Sequence, residues 1–283
     1  MQPADYDHLV EAALAEDLGT SGDVTSLALF SNEPLVARLT CKARGILAGG
    51  ELFAAVFHAV NPRTTVDLHH DDGARLAPGD HVATVSGAAT AVLSGERVAI
   101  NFLSFLSGIA TETRRYVEGA AHGGDARILD TRKTLPGYRA LSKYAVGVGG
   151  GTNHRMGLYD MVLLKDNHID RAGSVTRAVD AVRERWGERY RIEVECRTMD
   201  EVREARALHV DVIMLDNMSI EQTREAVALC AGSPQIEASG TMDLPRIREV
   251  SETGVDFISV GRLTHSVEAL DVSLTLERTG EPR

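Results

Sequence analysis

Short apolar runs recur at a nearly constant spacing through the second half of this 283-residue chain. Four consecutive runs end at residues 195, 216, 239 and 261, and these ends lie 21, 23 and 22 residues apart. Each interval accommodates one strand, one helix and two short loops. Because the runs are rich in Ile, Val, Leu and Met, they are typical of strands buried on both faces. The spacing therefore predicts a parallel β-sheet with right-handed crossovers.

Strand and helix patterns alternate in this way from about residue 125 onward. The segments between the runs place apolar residues three or four apart with charges between them, as amphipathic helices do. Two of these segments begin with a capping box, Thr198 with Glu201 and Ser219 with Gln222. The pattern favours a barrel or barrel fragment, with a doubly wound open sheet as the alternative. The predicted strands cover residues 126–131, 159–166, 190–196, 210–216, 235–239 and 255–261.

The first part of the chain has a mixed pattern. Helices are predicted at residues 5–18, 51–60 and 94–120, a strand at 36–50, and a strand–turn–strand at 72–87, where Pro78-Gly79-Asp80 supplies turn residues. We therefore expect an α/β protein of two domains. A mixed α/β N-terminal domain would comprise residues 1–112 with a contribution from the C-terminal tail 270–283, and a barrel domain residues 113–269.

Composition limits the classes of function. The chain has 41 Asp and Glu against 30 Lys and Arg, a net charge of −11, which argues against general nucleic-acid binding. No apolar run approaches the ~20 residues that span a bilayer, and the first residues lack the features of a signal peptide. The three cysteines, Cys41, Cys196 and Cys230, fit neither a metal-ligand spacing nor a disulfide framework. We expect a cytoplasmic protein with reduced thiols.

Polar and charged residues follow every predicted strand at its carboxyl end. In a parallel α/β barrel the loops after the strands surround the active site, so these residues are candidates for binding and catalysis. For any one of them, a structural ion pair is an equally good interpretation, but strand packing does not require a charge at every end. The candidates are Thr131, Arg132, Lys133, Lys165, Glu193, Glu195, Asp216, Ser239, Gly240, Gly261 and Arg262.

Local cations in this acidic chain indicate an anionic ligand. The segment DTRKTLPGYR at residues 130–139 holds three of them, and His154-Arg155 follows a glycine run that is a weak phosphate motif by itself. The small residues of EASGTM (237–242) and SVGRLTHS (259–266) expose backbone N–H groups before predicted helices, which favours phosphate. Arg97 lies on a predicted helix beside an apolar face, where it is either solvated or part of a subunit interface.

The segment DTRKTLPGYRALSKYAVGVGGGTNHRMGLYDMVLLKDNHI (130–169) closely resembles the signature of the quinolinate phosphoribosyltransferase family. Further segments resemble the family in the same order, so the resemblance covers nearly the whole chain. They are ALAEDLGTSGDVTS (13–26), SGERVAINFLSFLSGIAT (94–111), IEVECRTMDE (192–201), IMLDNMS (213–219), IEASGTM (236–242) and GVDFISVGRLTHSVEALDVSL (254–274).

The resemblance implies an N-terminal α/β domain and an open α/β barrel, assembled as a homodimer or as a hexamer of three dimers. It implies that quinolinate reacts with phosphoribosyl pyrophosphate (PRPP), with Mg²⁺, to give nicotinate mononucleotide, pyrophosphate and CO₂ for NAD biosynthesis. Both substrates are polyanions, which accounts for the local cations.

The resemblance also implies roles for individual residues. Arg132, His154 and Arg155 would hold the quinolinate carboxylates, with Lys165 close by and Arg97 supplied across the subunit interface. Lys133 and Lys165 would contact pyrophosphate or phosphate oxygens. Glu195 and Asp216 would face the ribose and its Mg²⁺, directly or through water or PRPP. The 5′-phosphate would lie among Ser239, Gly240, Thr241, Gly261 and Arg262, and Thr131 would be a further substrate-binding residue.

Three positions depart from the family pattern: Thr241, Gly147-Val148 and Cys196-Arg197. Two alternatives to the main interpretation stay open. One is a paralogue that transfers phosphoribose to another aromatic carboxylate, against which KDNH (165–168) and NHR (153–155) argue. The other is a catalytically silent binding protein, against which the presence of Glu195 and Asp216 argues.

Overall fold

The computed structural model describes residues 6–277. Residues 1–5 of the predicted N-terminal domain and 278–283 of the predicted tail lie outside the described part. By its internal contacts the described chain forms two compact units, one of residues 6–112, 140–149 and 266–277 and one of residues 113–139 and 150–265. The boundaries predicted from the sequence, after residues 112 and 269, stay a prediction.

Elements are numbered in chain order. The first part of the chain contains α1 (Asp7–Leu18), α2 (Val24–Leu29), β1 (Pro34–Cys41), β2 (Gly45–Ile46), α3 (Gly50–Val60), β3 (Thr65–Leu68), β4 (Arg75–Leu76), β5 (His81–Ala88) and α4 (Ala89–Ala121). The rest contains β6 (Arg127–Leu129), α5 (Arg139–Val148), β7 (Val162–Leu164), α6 (Asp166–Ala172), α7 (Val175–Trp186), β8 (Ile192–Cys196), α8 (Met199–Ala207), β9 (Val212–Asp216), α9 (Ile220–Cys230), β10 (Gln235–Ser239), α10 (Leu244–Ser251), β11 (Phe257–Ser259), α11 (Arg262–His265) and β12 (Val272–Leu276).

The first unit contains an antiparallel sheet in the order β12-β1-β5-β3 and a small β2-β4 pair. Alternate residues of β1, Ala37, Leu39 and Cys41, are fully buried, as expected for a strand with one face on a core. The α3 helix contributes Phe53 and Phe57, which pack edge to face. The sequence analysis did not predict β12 as a strand, although its five residues, VSLTL, alternate apolar and polar side chains.

The second unit contains a parallel sheet in the order β6-β11-β10-β9-β8-β7. Each of its strands falls within a predicted run, so the predicted repeat is confirmed. In this order β11, the last of the six strands in the sequence, lies beside β6, the first of them, as in a barrel. A doubly wound sheet would instead reverse its strand order near the middle, so that alternative is wrong.

The barrel is open between β6 and β7, which are consecutive strands but occupy the two edges of the sheet. Thr152 partly covers the free edge of β6 through a single parallel bridge to Leu129. Six strands in a flat sheet would place their edges roughly 24 Å apart at a spacing of about 4.8 Å. Residues from both edges nevertheless line one cavity, so the sheet is curved. The predicted fold class, an open parallel α/β barrel with a mixed α/β N-terminal part, is confirmed.

The barrel helices begin where the capping residues predict. The Thr198 hydroxyl accepts the N–H of Glu201 at 3.2 Å, and Ser219 forms a reciprocal capping box with Gln222. The α5 and α6 helices, which flank the cationic segments, were not predicted. Within residues 6–277, every helix is too short or too polar to cross a lipid bilayer.

Candidate active site

A cavity of about 600 Å³ opens at the carboxyl ends of the six parallel strands. Twelve of the fourteen predicted binding residues line it, and the exceptions are Arg97 and Arg262. Residues separated by up to 130 positions therefore meet in one place. The twelve are Thr131, Arg132, Lys133, His154, Arg155, Lys165, Glu195, Asp216, Ser239, Gly240, Thr241 and Gly261.

Lys165 and Glu195 form an ion pair at the ends of the neighbouring strands β7 and β8. Lys165 Nζ lies 2.9 Å from Glu195 Oε2, and the Glu195 side chain is 11% exposed. Glu195 faces the cavity because alternate residues of a strand point to the same side, and Cys196 consequently faces away. The lysine therefore compensates a carboxylate that is nearly removed from water.

Asp216 ends β9 next to Glu195 and supplies a second carboxylate to the cavity. Its Oδ1 accepts a hydrogen bond from Asn217 Nδ2 at 3.0 Å, which fixes the carboxylate orientation. Glu195 and Asp216 are hard oxygen donors of the kind that Mg²⁺ prefers. The donor set therefore fits a magnesium ion.

Two glycines shape the cavity at the ends of β10 and β11. Gly240 has φ +131°, and a side chain there would collide with Asn217, so only glycine fits. A Cβ on Gly261 would lie 3.0 Å from Lys133 Cδ. The Thr264 hydroxyl donates to the Lys133 carbonyl at 2.8 Å, so the lysine stem is held against Gly261 and its ammonium reaches the cavity.

Two guanidinium groups, those of Arg132 and Arg155, form one wall of the cavity. The Nε of Arg132 is buried and has no hydrogen-bond partner among the described residues. Arg155 donates from Nη1 to the carbonyl of Met161 at 3.1 Å. Burial lowers the pKa of Arg155 most, and the positive charge of Arg132 lowers it further. The nearby Glu193 carboxylate acts in the opposite direction and raises it. A carboxylate ligand would satisfy these donors and relieve the repulsion between the like charges.

Three buried titratable side chains lie beneath this wall. His154 Nε2 is 3.1 Å from Glu193 Oε2 and 3.7 Å from Glu237 Oε2. Burial raises the pKa of both carboxyl groups, and the adjacent Glu193 raises that of Glu237 further. The Oε1 atoms of Glu193 and Glu237 have no hydrogen-bond partner among the described residues. A smaller cavity of about 190 Å³ lies on the far side of this group.

Two predicted residues lie elsewhere. Arg97 is exposed on the part of α4 that belongs to the first unit, and Arg262 begins α11 without lining the cavity. Conversely, Leu163, Met214, Asn217, Glu237 and Ser259 line the cavity but were not predicted to bind substrate. Strand alternation could have identified some of them, since Met214 and Glu237 lie two residues before Asp216 and Ser239.

The three departures from the family pattern have different surroundings. Thr241 lines the cavity and adds a hydroxyl to it. Gly147 lies in α5, and a side chain there would meet nothing within 4 Å. Cys196 is buried, and Arg197 bonds on the surface to Asp170 and Glu201, each at 2.7 Å from Nη2.

Comparison with known proteins gives matches along almost the whole chain. The family description "Quinolinate phosphoribosyl transferase, N-terminal domain" matches residues 23–107, and the corresponding C-terminal domain matches residues 109–275. A probable nicotinate-nucleotide pyrophosphorylase [carboxylating] of Bacillus subtilis is 42% identical over 94% of this chain and 91% of its own. The chloroplastic enzyme of that name from Arabidopsis thaliana is 40% identical over 96% and 83%. The crystal structure of NadC from Streptococcus pyogenes superimposes with a TM-score of 0.94 at 41% identity, covering 98% of this chain and 99% of that one.

Proposed function

Because the chain belongs to the quinolinate phosphoribosyltransferase family, we propose that it transfers phosphoribose from PRPP to quinolinate and decarboxylates the product. The products are nicotinate mononucleotide, pyrophosphate and CO₂, which enter NAD biosynthesis. The observation that carries this proposal is the convergence of cations with two carboxylates in one cavity of an acidic protein.

The acid substrate binds at the wall formed by Arg132 and Arg155. Quinolinate carries two adjacent carboxylates, and a guanidinium donates two parallel hydrogen bonds to a carboxylate. The buried, unpaired Nε of Arg132 supports its assignment. His154 lies beside these arginines, and Lys165 adds positive charge from the end of β7.

PRPP occupies the other half of the cavity. Lys133 neutralises pyrophosphate oxygens, and the small residues at the ends of β10 and β11 leave backbone N–H groups accessible to the 5′-phosphate. Thr241 contributes a hydroxyl donor there. The proposed phosphate-binding residues are Ser239, Gly240, Thr241, Gly261 and Arg262, and Thr131 is a further proposed substrate-binding residue.

Displacement of pyrophosphate builds positive charge on the ribose carbon, as in glycoside cleavage. Glu195 and Asp216 stabilise this charge, and no covalent nucleophile is needed. Mg²⁺, held by these carboxylates directly or through water or PRPP, would neutralise the departing pyrophosphate. Lys165 keeps Glu195 compensated before the substrates arrive.

Decarboxylation follows transfer. The pyridine nitrogen becomes positively charged when it bonds to ribose. Loss of CO₂ then leaves the electron pair of the broken bond on ring carbon 2, where the adjacent positive nitrogen stabilises it, and carbon 2 takes up a proton from water to give the nicotinate ring. The arginine wall keeps the remaining carboxylate in place. The protein contributes positioning and desolvation rather than a covalent group.

The active assembly is a homodimer or a hexamer of three dimers in which Arg97 reaches a cavity across the interface. The exposed position of Arg97 on α4 supports this role. The protein acts in the cytoplasm, where its three unpaired, buried cysteines stay reduced.

An assay with two acids tests the proposal. Purified protein with PRPP, Mg²⁺ and quinolinate labelled on the 2-carboxylate should release labelled CO₂ and form nicotinate mononucleotide. Nicotinate, which lacks that carboxylate, should not be a substrate. Turnover of nicotinate without turnover of quinolinate would favour the paralogue and overturn the proposal.

A further inference from the structure

We propose that Asp130 and Glu193, two buried carboxylates beneath the cavity, are positioning residues that hold the His154-Arg155 segment in place for the acid substrate. The inference rests on the proposed function, because it assigns these residues to the quinolinate half of the same site. Neither carboxylate lines the large cavity, so both act through the segment rather than by contact with substrate.

Asp130 anchors the backbone of the segment to the edge of the barrel. It is fully buried directly after β6, and its Oδ1 accepts the N–H of His154 at 2.9 Å. The preceding Thr152 donates its N–H to the Ile128 carbonyl at 2.8 Å. Residues 153–155 belong to no helix or strand, so these bonds replace the regular ladder that would otherwise fix their position.

Glu193 anchors the side chain of the same segment. His154 Nδ1 accepts the N–H of Arg155 at 2.7 Å, so this ring nitrogen carries no proton. The proton is therefore on Nε2, which lies 3.1 Å from Glu193 Oε2 and donates to it. Both ring nitrogens are engaged within the protein, and the imidazole bridges the Glu193 carboxylate to the backbone of Arg155. His154 thus links Glu193 to the backbone that positions Arg155.

Charge gives a second reason for the position of Glu193. Arg155 is half-buried beside Arg132, and both features disfavour its charged form, whereas the nearby Glu193 favours it. Asp160 contributes in the same direction, and Glu237 shares the contact with His154. Without Glu193, the two guanidinium groups would repel each other with less compensation, and Arg155 would turn away from the cavity.

Kinetics of two substitutions at Glu193 test the proposal. Glu193→Leu removes the acceptor but keeps a similar size, so we expect the KM for quinolinate to rise about tenfold while the KM for PRPP stays within about twofold. Glu193→Gln retains an oxygen acceptor for Nε2 but not the negative charge, so it should recover only part of the loss. Asp130→Leu should likewise raise the KM for quinolinate, and Asp130→Asn, which retains an oxygen acceptor for the N–H of His154, should raise it less. Cys196→Ala, on the same strand but facing away, is the control and should leave both KM values unchanged.

Other outcomes overturn the inference. If Glu193→Leu folds and its KM for quinolinate is unchanged, Glu193 does not position the acid site. If both KM values rise together, the strand that carries Glu195 has moved and the role is merely structural. A crystal structure of Glu193→Leu decides independently of activity: retention of the His154 ring and Arg155 in place contradicts the proposal. Failure of the wild type to use quinolinate would instead sink the proposed function alone.

Discussion

Lys165 and Glu195 are 2.9 Å apart across neighbouring strands and neutralise each other in the cavity. Their proposed roles require them to separate when PRPP enters, because each then faces a charge of the substrates. The pair is therefore a resting arrangement, and its two members can be tested separately and together.

Lys165→Met should lower kcat by roughly 10²-fold, the usual effect of removing one positioned charge from a reaction centre. Steady-state kinetics of Lys165→Met, Glu195→Gln and the double variant check this. If the pair only balances buried charge, the double variant should regain activity over either single one. If both residues act on substrates, as proposed, it should be at least as impaired as the worse of the two.

Gly261→Ala should raise the KM for PRPP by about tenfold to hundredfold, because its methyl group would displace the Lys133 stem. Gly147→Ala is the matched control, since a side chain there meets nothing within 4 Å. Its helical position predicts unchanged kinetics and a stability gain of about 0.5–1 kcal/mol. Equal kinetics for both variants would contradict the proposed position of Lys133.

Mixing experiments test whether Arg97 serves a neighbouring subunit. Arg97→Ala and Lys165→Met should each be nearly inactive alone. Random reassociation makes half of the dimers mixed, and each mixed dimer would hold one intact site, so about one quarter of wild-type activity should return. Absence of recovery, with mixed dimers verified by mass spectrometry, would assign Arg97 to its own chain or to no site.

The pH dependence of stability should change on replacement of Glu237. Burial raises the pKa of this carboxyl in the folded protein, so the native state binds a proton that the unfolded chain releases above about pH 4.5. Rising pH therefore favours unfolding, by at most about 1.4 kcal/mol per pH unit. The free energy of unfolding, measured with urea between about pH 5 and 8, should fall less steeply with pH for Glu237→Gln than for the wild type. If the free energy falls equally steeply in both proteins, the raised pKa does not belong to Glu237.

The barrel could be predicted from the sequence because each strand is a short apolar run and each charge at its end is costly to bury without a purpose. The same reasoning identified most of the residues that line the cavity. Leu163 and Ser259 were not predicted because uncharged residues in a strand give no signal of a site. The hydrogen bonds of His154 were not predicted because they depend on the fold of an irregular segment against β6 and β8.

The alternating residues of β12 could have indicated a strand, but its partner could not be predicted, because β1 lies far away in the sequence. Val272 pairs with Cys41, more than two hundred residues earlier. On the ribosome, β1 therefore emerges long before the strand that covers it, and its free edge can recruit strands of other chains in the meantime. Nascent chains can therefore associate through β1 during the interval between its synthesis and that of β12, so expression at high rates should favour aggregation.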